Sequence, residues 1–368
     1  MEKINSVKAI VLLLALTVLV AGCNGTSSRD IDVFIGGSQG LLLRFMEGTP
    51  PNTVYDNRAM PFDITLSIEN AGEFDIDRVH LTLSGISTND FEGIGNVKRW
   101  VTSNNNPELG QPVLAGKTRI GDTQMTGGKA FIELGNEVQY TRRLAGGGEM
   151  SYTIMVDACY PYATMATSRV CYQSNYNDGN NNVCRPETTN SMSVSGAPLQ
   201  VTSYSQEAVG PRSIRVQYTF DLRGNVQIYA PKGTERTSGA ANEQDCNPAN
   251  RTQAFREEGV FYVEVDHQGA ATSIRCTEWQ SQTYDFVGTH IKQIRQPALT
   301  GSAIRIGDVE RIEGGAGFLR LNDGRATLTC IMELPESATN HMGVVNLAAT
   351  YYVKDFARTT FAVTHSGQ

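Results

Sequence analysis

Gly36-Gly37-Ser38-Gln39-Gly40 matches G-x-S-x-G, the sharp turn that presents a nucleophilic serine in serine hydrolases. That turn needs a parallel sheet before the serine and a helix after it. Here Leu41 to Phe45 run into Pro50-Pro51 before a helix can develop, and too little chain precedes Ser38 to build the sheet. Two glycine turns flanking a small residue account for the match. Asn175 to Asn182 reads NYNDGNNN, oxygen-rich with a central glycine like a calcium loop, but no closing glutamate follows and Asp178 is its sole carboxylate. Lying between Cys171 and Cys184, it is better explained as a turn-rich loop closed by a disulfide. His80, His267, His290, His341 and His365 show no ligand or catalytic spacing, and there is no phosphate loop, dinucleotide fingerprint or carboxylate pair. No catalytic residue, metal ligand or cofactor is therefore expected, although groups from distant positions can still converge.

The cysteines carry more. With Cys23 set aside, Cys159, Cys171, Cys184, Cys246, Cys276 and Cys330 remain. An even number outside the cytoplasm reads as three disulfides, with connectivity left open. Zinc is the rival, but there is no C-x2-C pair and no histidine close to any cysteine. The turn-rich residues between Cys171 and Cys184 predict that pair as a local bridge, with Cα atoms about 5.5–6 Å apart. Trp100 and Trp279, with Tyr160, Tyr162 and Tyr172, form either an aromatic face for sugars or peptides or ordinary core packing; the core is preferred. The candidate binding residues are accordingly Tyr160, Tyr162 and Tyr172, with Asn177 and Asp178 on the loop.

The N-terminus predicts where the chain goes. Lys3 and Lys8 precede an apolar run from Ala9 to Val20, interrupted by Thr17, which closes with Val20-Ala21-Gly22-Cys23. This is the order of a secretory signal, and it is shorter than the roughly 20 apolar residues of a membrane span. One reading is an ordinary secretory peptide. The sharper one is a lipoprotein signal, because the closing residues resemble a lipobox: an aliphatic residue, two small residues and a cysteine whose thiol takes the lipid. Residues 1–22 are then the cleaved signal, Cys23 the lipidation site, and 23–30 a polar tether to the membrane. Cleavage removes Glu2, Lys3 and Lys8, taking the net charge from −7 to −8. That acidity argues against nucleic acid, whose recognition needs a basic face. Asn24-Gly25-Thr26 and Asn250-Arg251-Thr252 are glycosylation sequons.

Period-two alternation dominates the rest. Phe62, Ile64, Leu66 and Ile68 alternate with polar residues, as do Val79 to Leu83, Met150 to Val156, Ile214 to Leu222 and Phe261 to Val265. Asn322-Asp323-Gly324 is a hairpin turn, and Val345, Leu347, Ala349, Tyr351 and Val353 share a face near the C-terminus. No window of helical length holds a 3.6-residue period. The pattern predicts an all-β protein of two antiparallel sandwich domains, 31–185 and 199–368, joined by the Ser/Thr/Pro-rich stretch 186–198. The six cysteines divide three and three across that stretch, so three disulfides require at least one bond across it.

Pro61 to Gly72 (PFDITLSIENAG), behind Gly48-Thr49-Pro50-Pro51, resembles the immunoglobulin-like modules of bacterial and archaeal surface proteins. Cys159-Tyr160-Pro161-Tyr162-Ala163-Thr164, followed by Cys171, is similar to a segment of uncharacterised archaeal surface proteins. The resemblance implies immunoglobulin-like sandwiches at the cell surface and transfers no activity. The resulting expectation is a non-enzymatic, lipid-anchored protein facing the extracytoplasmic side, with a structural, adhesive or protein-binding role toward envelope proteins or glycans. A carbohydrate- or peptide-binding lipoprotein and an envelope hydrolase are the alternatives.

Overall fold

Strands account for nearly all of the regular structure, and no α-helical element occurs among the described residues. The computed structural model describes residues 33–95, 98–102, 114–177, 183–186, 191–230, 246, 257–267, 271–277 and 315–367. The signal segment, Cys23 and the tether lie outside them, as do Asp178, Trp279, His290 and both sequons.

In chain order the strands are β1 (Leu41–Phe45), β2 (Thr53–Tyr55), β3 (Phe62–Asn70), β4 (Arg78–Ser84), β5 (Phe91–Ile94) and β6 (Lys98–Thr102). There follow β7 (Thr118–Ile120), β8 (Thr123–Met125), β9 (Lys129–Tyr140), β10 (Glu149–Tyr172), β11 (Met192–Val194), β12 (Leu199–Gly210) and β13 (Ser213–Leu222). The last are β14 (Gln227–Tyr229), β15 (Val260–Asp266), β16 (Ser273–Thr277), β17 (Ala316–Arg320), β18 (Arg325–Glu333) and β19 (His341–Thr364).

The frame is one antiparallel pair. β10 and β19, each of 24 residues, pair without a break from Glu149↔Thr364 to Tyr172↔His341, a ladder roughly 80 Å long at the usual strand rise. Around it builds a nine-stranded sheet in the order β17-β15-β19-β10-β4-β6, with β11 on β10 and β14 and β2 on β19. Such length needs an unbroken alternation. Even-numbered residues of β10 from Ile154 to Tyr172 are all buried on one face. Pro161 interrupts nothing, because β4 pairs only through Cys159 and β11 begins at Ala166. It falls where β10 has no outer neighbour among the described residues, a position that tolerates a missing N–H.

Two four-stranded sheets pack on that buried face. β1-β3-β9-β5 covers one end, where Phe62 and Phe91 meet Phe361 at ring-centroid distances of 5.7 and 6.0 Å. β12-β13-β18-β16 covers the other, where Phe220 meets Phe261 at 5.0 Å and Tyr218 shares a 2.8 Å hydrogen bond with Ser168. The stretch 186–198 separates the strands of the first small sheet from those of the second in sequence. Both use the same large sheet, and their buried side chains form one continuous cluster.

The Asn70-Ala71-Gly72 turn is built into this core. Asn70 is buried and its Oδ1 accepts the Gly72 N–H at 3.1 Å and the Tyr162 hydroxyl at 3.3 Å. A Cβ on Gly72 would overlap the Tyr162 hydroxyl and lie 2.5 Å from the Gly196 carbonyl oxygen and 2.7 Å from that of Gln39. Two of those neighbours are backbone atoms, which cannot rotate away. Gly72→Ala is expected to destabilise the fold by about 2 kcal/mol or more, read as a lower urea midpoint. An unchanged midpoint would show that the turn is not packed in this way.

Candidate functional site

All six body cysteines are oxidised in three pairs: Cys159–Cys246, Cys171–Cys184 and Cys276–Cys330. The local pair is the one expected, with Cα atoms 5.7 Å apart. Cys159–Cys246 crosses the 186–198 stretch, as the three-and-three division requires.

Tyr160, Tyr162 and Tyr172 are each at most 1% exposed, so they offer no face on which a sugar or peptide could stack. They lie on the inward side of β10, and two of them, with Tyr351, serve the backbone where the small sheets meet it. Tyr160 Oη accepts the Leu41 N–H at 3.0 Å, and Tyr351 Oη accepts the Leu199 N–H at 3.3 Å. Tyr162 donates toward the Asn70 side chain and the Gly196 carbonyl. The open edges of β1 and β12 thus find partners on the large sheet. Burial pushes all three phenols well above their usual range, so they remain protonated. Tyr172 packs its ring 5.1 Å from that of His341. Trp100 lies on β6.

The G-x-S-x-G segment is a tied turn. Gly36 and Gly37 have φ of +80° and +117°. Glu73 accepts the N–H groups of Ile35 and Gly36, both at 2.8 Å, and that of Gly196 at 2.6 Å. Ser38 is exposed and leads into β1, where the hydrolase elbow requires a helix. The described histidines sit on separate elements: His80 is buried on β4, His267 accepts the Ala271 N–H after β15, and His341 opens β19. His365 pairs at 2.9 Å with the buried Asp56, whose carboxyl is held far below its ordinary range, first by that ring and then by the Leu144 and Ser366 N–H groups. Asp56 thereby clasps the end of β2 to the C-terminal tail. Among the described residues no three metal-ligating side chains converge.

Polar groups of the described residues meet solvent at several places, and two of these bear on binding. The first is the Cys171–Cys184 loop. Its stem is firm: Gln173 Nε2 donates to the Cys184 carbonyl at 2.8 Å, and Tyr176 donates to the Cys171 carbonyl at 2.9 Å. Ser174 binds the Asn340 side chain through both its N–H and its hydroxyl. Asn177 is exposed beyond that stem. Replacing 177–182 by a Gly/Ser turn is therefore expected to leave the urea midpoint unchanged. Extending the replacement back through Tyr176 should cost about 1–2 kcal/mol, because a half-buried ring and its hydrogen bond are lost. Equal midpoints for the two variants would mean that Tyr176 does not anchor the loop.

The second is a cavity of about 310 Å³ where the two small sheets part, between β1 and the 223–226 turn. Its lining is mixed: Leu41, Leu42, Pro198, Val226 and Phe356 on the apolar side, and Ser38, Gln39, Arg223 and Asn225 on the polar side. Asp355 lines it beside Tyr160. Along β19 the inward positions run Val345, Leu347, Ala349, Tyr351, Val353, Asp355, Ala357, so a carboxylate stands where the pattern otherwise puts a small or apolar side chain. Desolvation raises its pKa to about 6, opposed only by the hydrogen bond from the adjacent Phe356 N–H at 2.7 Å. Among the described residues that is its only hydrogen bond. The sequence shows only that Asp355 is in phase with the apolar face of β19; the packing of the sheets is what gives it a cavity. Arg223, the cation of the lining, is engaged by Asp221 at 3.3 Å, and Asp221 also holds Arg325 at 2.7 Å.

No protein-family model matches the chain, and no curated protein matches it. Among solved structures, the crystal structure of the serine-rich repeat adhesion glycoprotein Srr1 from Streptococcus agalactiae aligns with 91% of this chain and 98% of that one, at 9% identity and a TM-score of 0.16. A superposition that poor carries no argument about fold or function.

Proposed function

We propose that the protein is held at the outer face of the cell membrane by lipid on Cys23 and acts there, without catalysis, as a structural, adhesive or protein-binding component of the envelope. The observation that supports this most directly is the complete pairing of the body cysteines in an all-β fold. Disulfides of this number persist in oxidising compartments and not in a reducing cytoplasm. In this reading each small sheet, with the half of the large sheet opposite it, is one immunoglobulin-like sandwich, and specificity sits in loops and sheet edges. Envelope proteins or glycans are the partners.

The test is crosslinking on intact cells followed by pull-down, comparing wild type with Cys23→Ser. Recovery of a discrete envelope partner by the wild type, lost when the anchor is removed, supports the reading. Recovery of cytoplasmic proteins alone overturns it. The alternative, a carbohydrate- or peptide-binding surface lipoprotein, draws its support from the cavity at Asp355.

A further inference from the structure

We propose that the cavity between the two small sheets is a binding site for the ammonium group of a lysine side chain presented by a partner protein, with Asp355 as its counter-charge. The geometry carries this. The cavity is about 310 Å³, at the small end for ligand pockets, and suits one extended side chain. The apolar part of its lining, Leu41, Leu42, Pro198 and Val226, suits a four-carbon stem, which buries readily while its charged tip seeks a partner. Asp355 supplies that partner: a carboxylate on the inward face of β19, with no counter-ion among the described residues.

The charged and titratable groups around it leave its charge open. From β10 comes Tyr160, a neutral phenol; from the 223–226 turn comes Arg223, already engaged by Asp221; β1 and the residues before it bring only Ser38, Gln39, Gly40, Leu41 and Leu42. On β19 itself, Lys354 pairs across the ladder with Asp157 at 3.9 Å. One Asp355 oxygen accepts the Phe356 N–H, and among the described residues the other accepts no hydrogen bond. A guanidinium fork prefers two acceptor oxygens side by side, whereas an ammonium is a point charge satisfied by one. Lysine is therefore favoured over arginine.

The acid is kept at a cost. Its raised pKa means that the folded state binds the proton more tightly than the unfolded chain does. Stability therefore falls as pH rises from the ordinary aspartate value of 3.8 through about 6. A purely structural position would favour a neutral side chain.

The test uses the purified full-length protein in non-ionic detergent, probed by ligand-observed NMR with N-acetyl-lysine-N-methylamide. Its norleucine and arginine counterparts serve as controls. At pH 7.5 the lysine probe is expected to bind with a Kd on the order of 1 mM, as a ligand this small would. Binding should weaken about tenfold with the norleucine probe, in Asp355→Asn, and for the wild type at pH 5, where the carboxyl is protonated. Asp355→Asn should also melt at a higher temperature than wild type at pH 7.5, which separates a lost site from a lost fold. Equal binding of lysine and norleucine probes, tighter binding of the arginine probe, or undiminished binding in Asp355→Asn would overturn the assignment. The inference rests on the cavity and not on the anchor. Cys23 processing is scored separately, so failure of one is distinguishable from failure of the other.

Discussion

Replacing Cys159 and Cys246 together with alanine is expected to lower the stability of the fold by about 4–5 kcal/mol, the largest effect of any disulfide removal in this chain. A crosslink restrains the unfolded chain in proportion to the logarithm of the loop that it closes. Cys159 and Cys246 are 87 residues apart, whereas Cys171 and Cys184 are 13 apart, for which the same relation gives about 3 kcal/mol. The native side of the comparison points the same way. Cys246 is 2% exposed and packs with Tyr229 and Tyr352 beside Cys159, on the face of the large sheet opposite the small sheets. Against a total stability of about 5–15 kcal/mol for ordinary domains, such a loss is severe. Urea unfolding without reductant, comparing the two double-alanine variants, measures it. Equal midpoint shifts would refute the loop-length account, and a larger shift for Cys171/Cys184 would reverse it.

The second large effect is one of location. Cys23→Ser is expected to take up no lipid, so that the protein either accumulates as uncleaved precursor or, once cleaved, leaves the detergent phase of a phase-partition assay. The thiol is the atom that would carry the lipid, and a hydroxyl cannot replace it in the transfer. Each buried methylene contributes about 0.8 kcal/mol, so a two-chain anchor gives stable attachment where one chain gives only marginal binding. Among the described residues no helix is long and apolar enough to cross a membrane as a substitute. Radiolabelled lipid incorporated into wild type and absent from the variant would complete the result. Lipid incorporation into Cys23→Ser, or a cleaved Cys23→Ser product that stays in the detergent phase, would refute the anchor and leave the Asp355 site untouched.

What could be read from the residues was whatever follows from local periodicity and from counting. Alternation through Phe62–Ile68, Ile214–Leu222 and Val345–Val353 is a direct consequence of side chains pointing to opposite faces of a strand, so an all-β chain was legible without any tertiary information. The Cys171–Cys184 pair was legible because a short polar, turn-forming stretch leaves its ends near each other. That some bond must cross 186–198 followed from parity alone.

The sharing of one sheet by both halves was not legible. Alternation marks which face of a strand is buried, but not which strand lies beside it, so nothing in β10 or β19 taken singly shows that they pair over all 24 residues. The tyrosines illustrate the same limit. Residue type favoured a core role for Tyr160 and Tyr162 over a binding face without placing them, and burial decides it: their hydroxyls are spent on Leu41, Asn70 and Gly196. Asp355 was hidden for the converse reason. Its character as a site depends on a gap between two sheets, and a gap is a property of how elements pack, which no stretch of sequence contains.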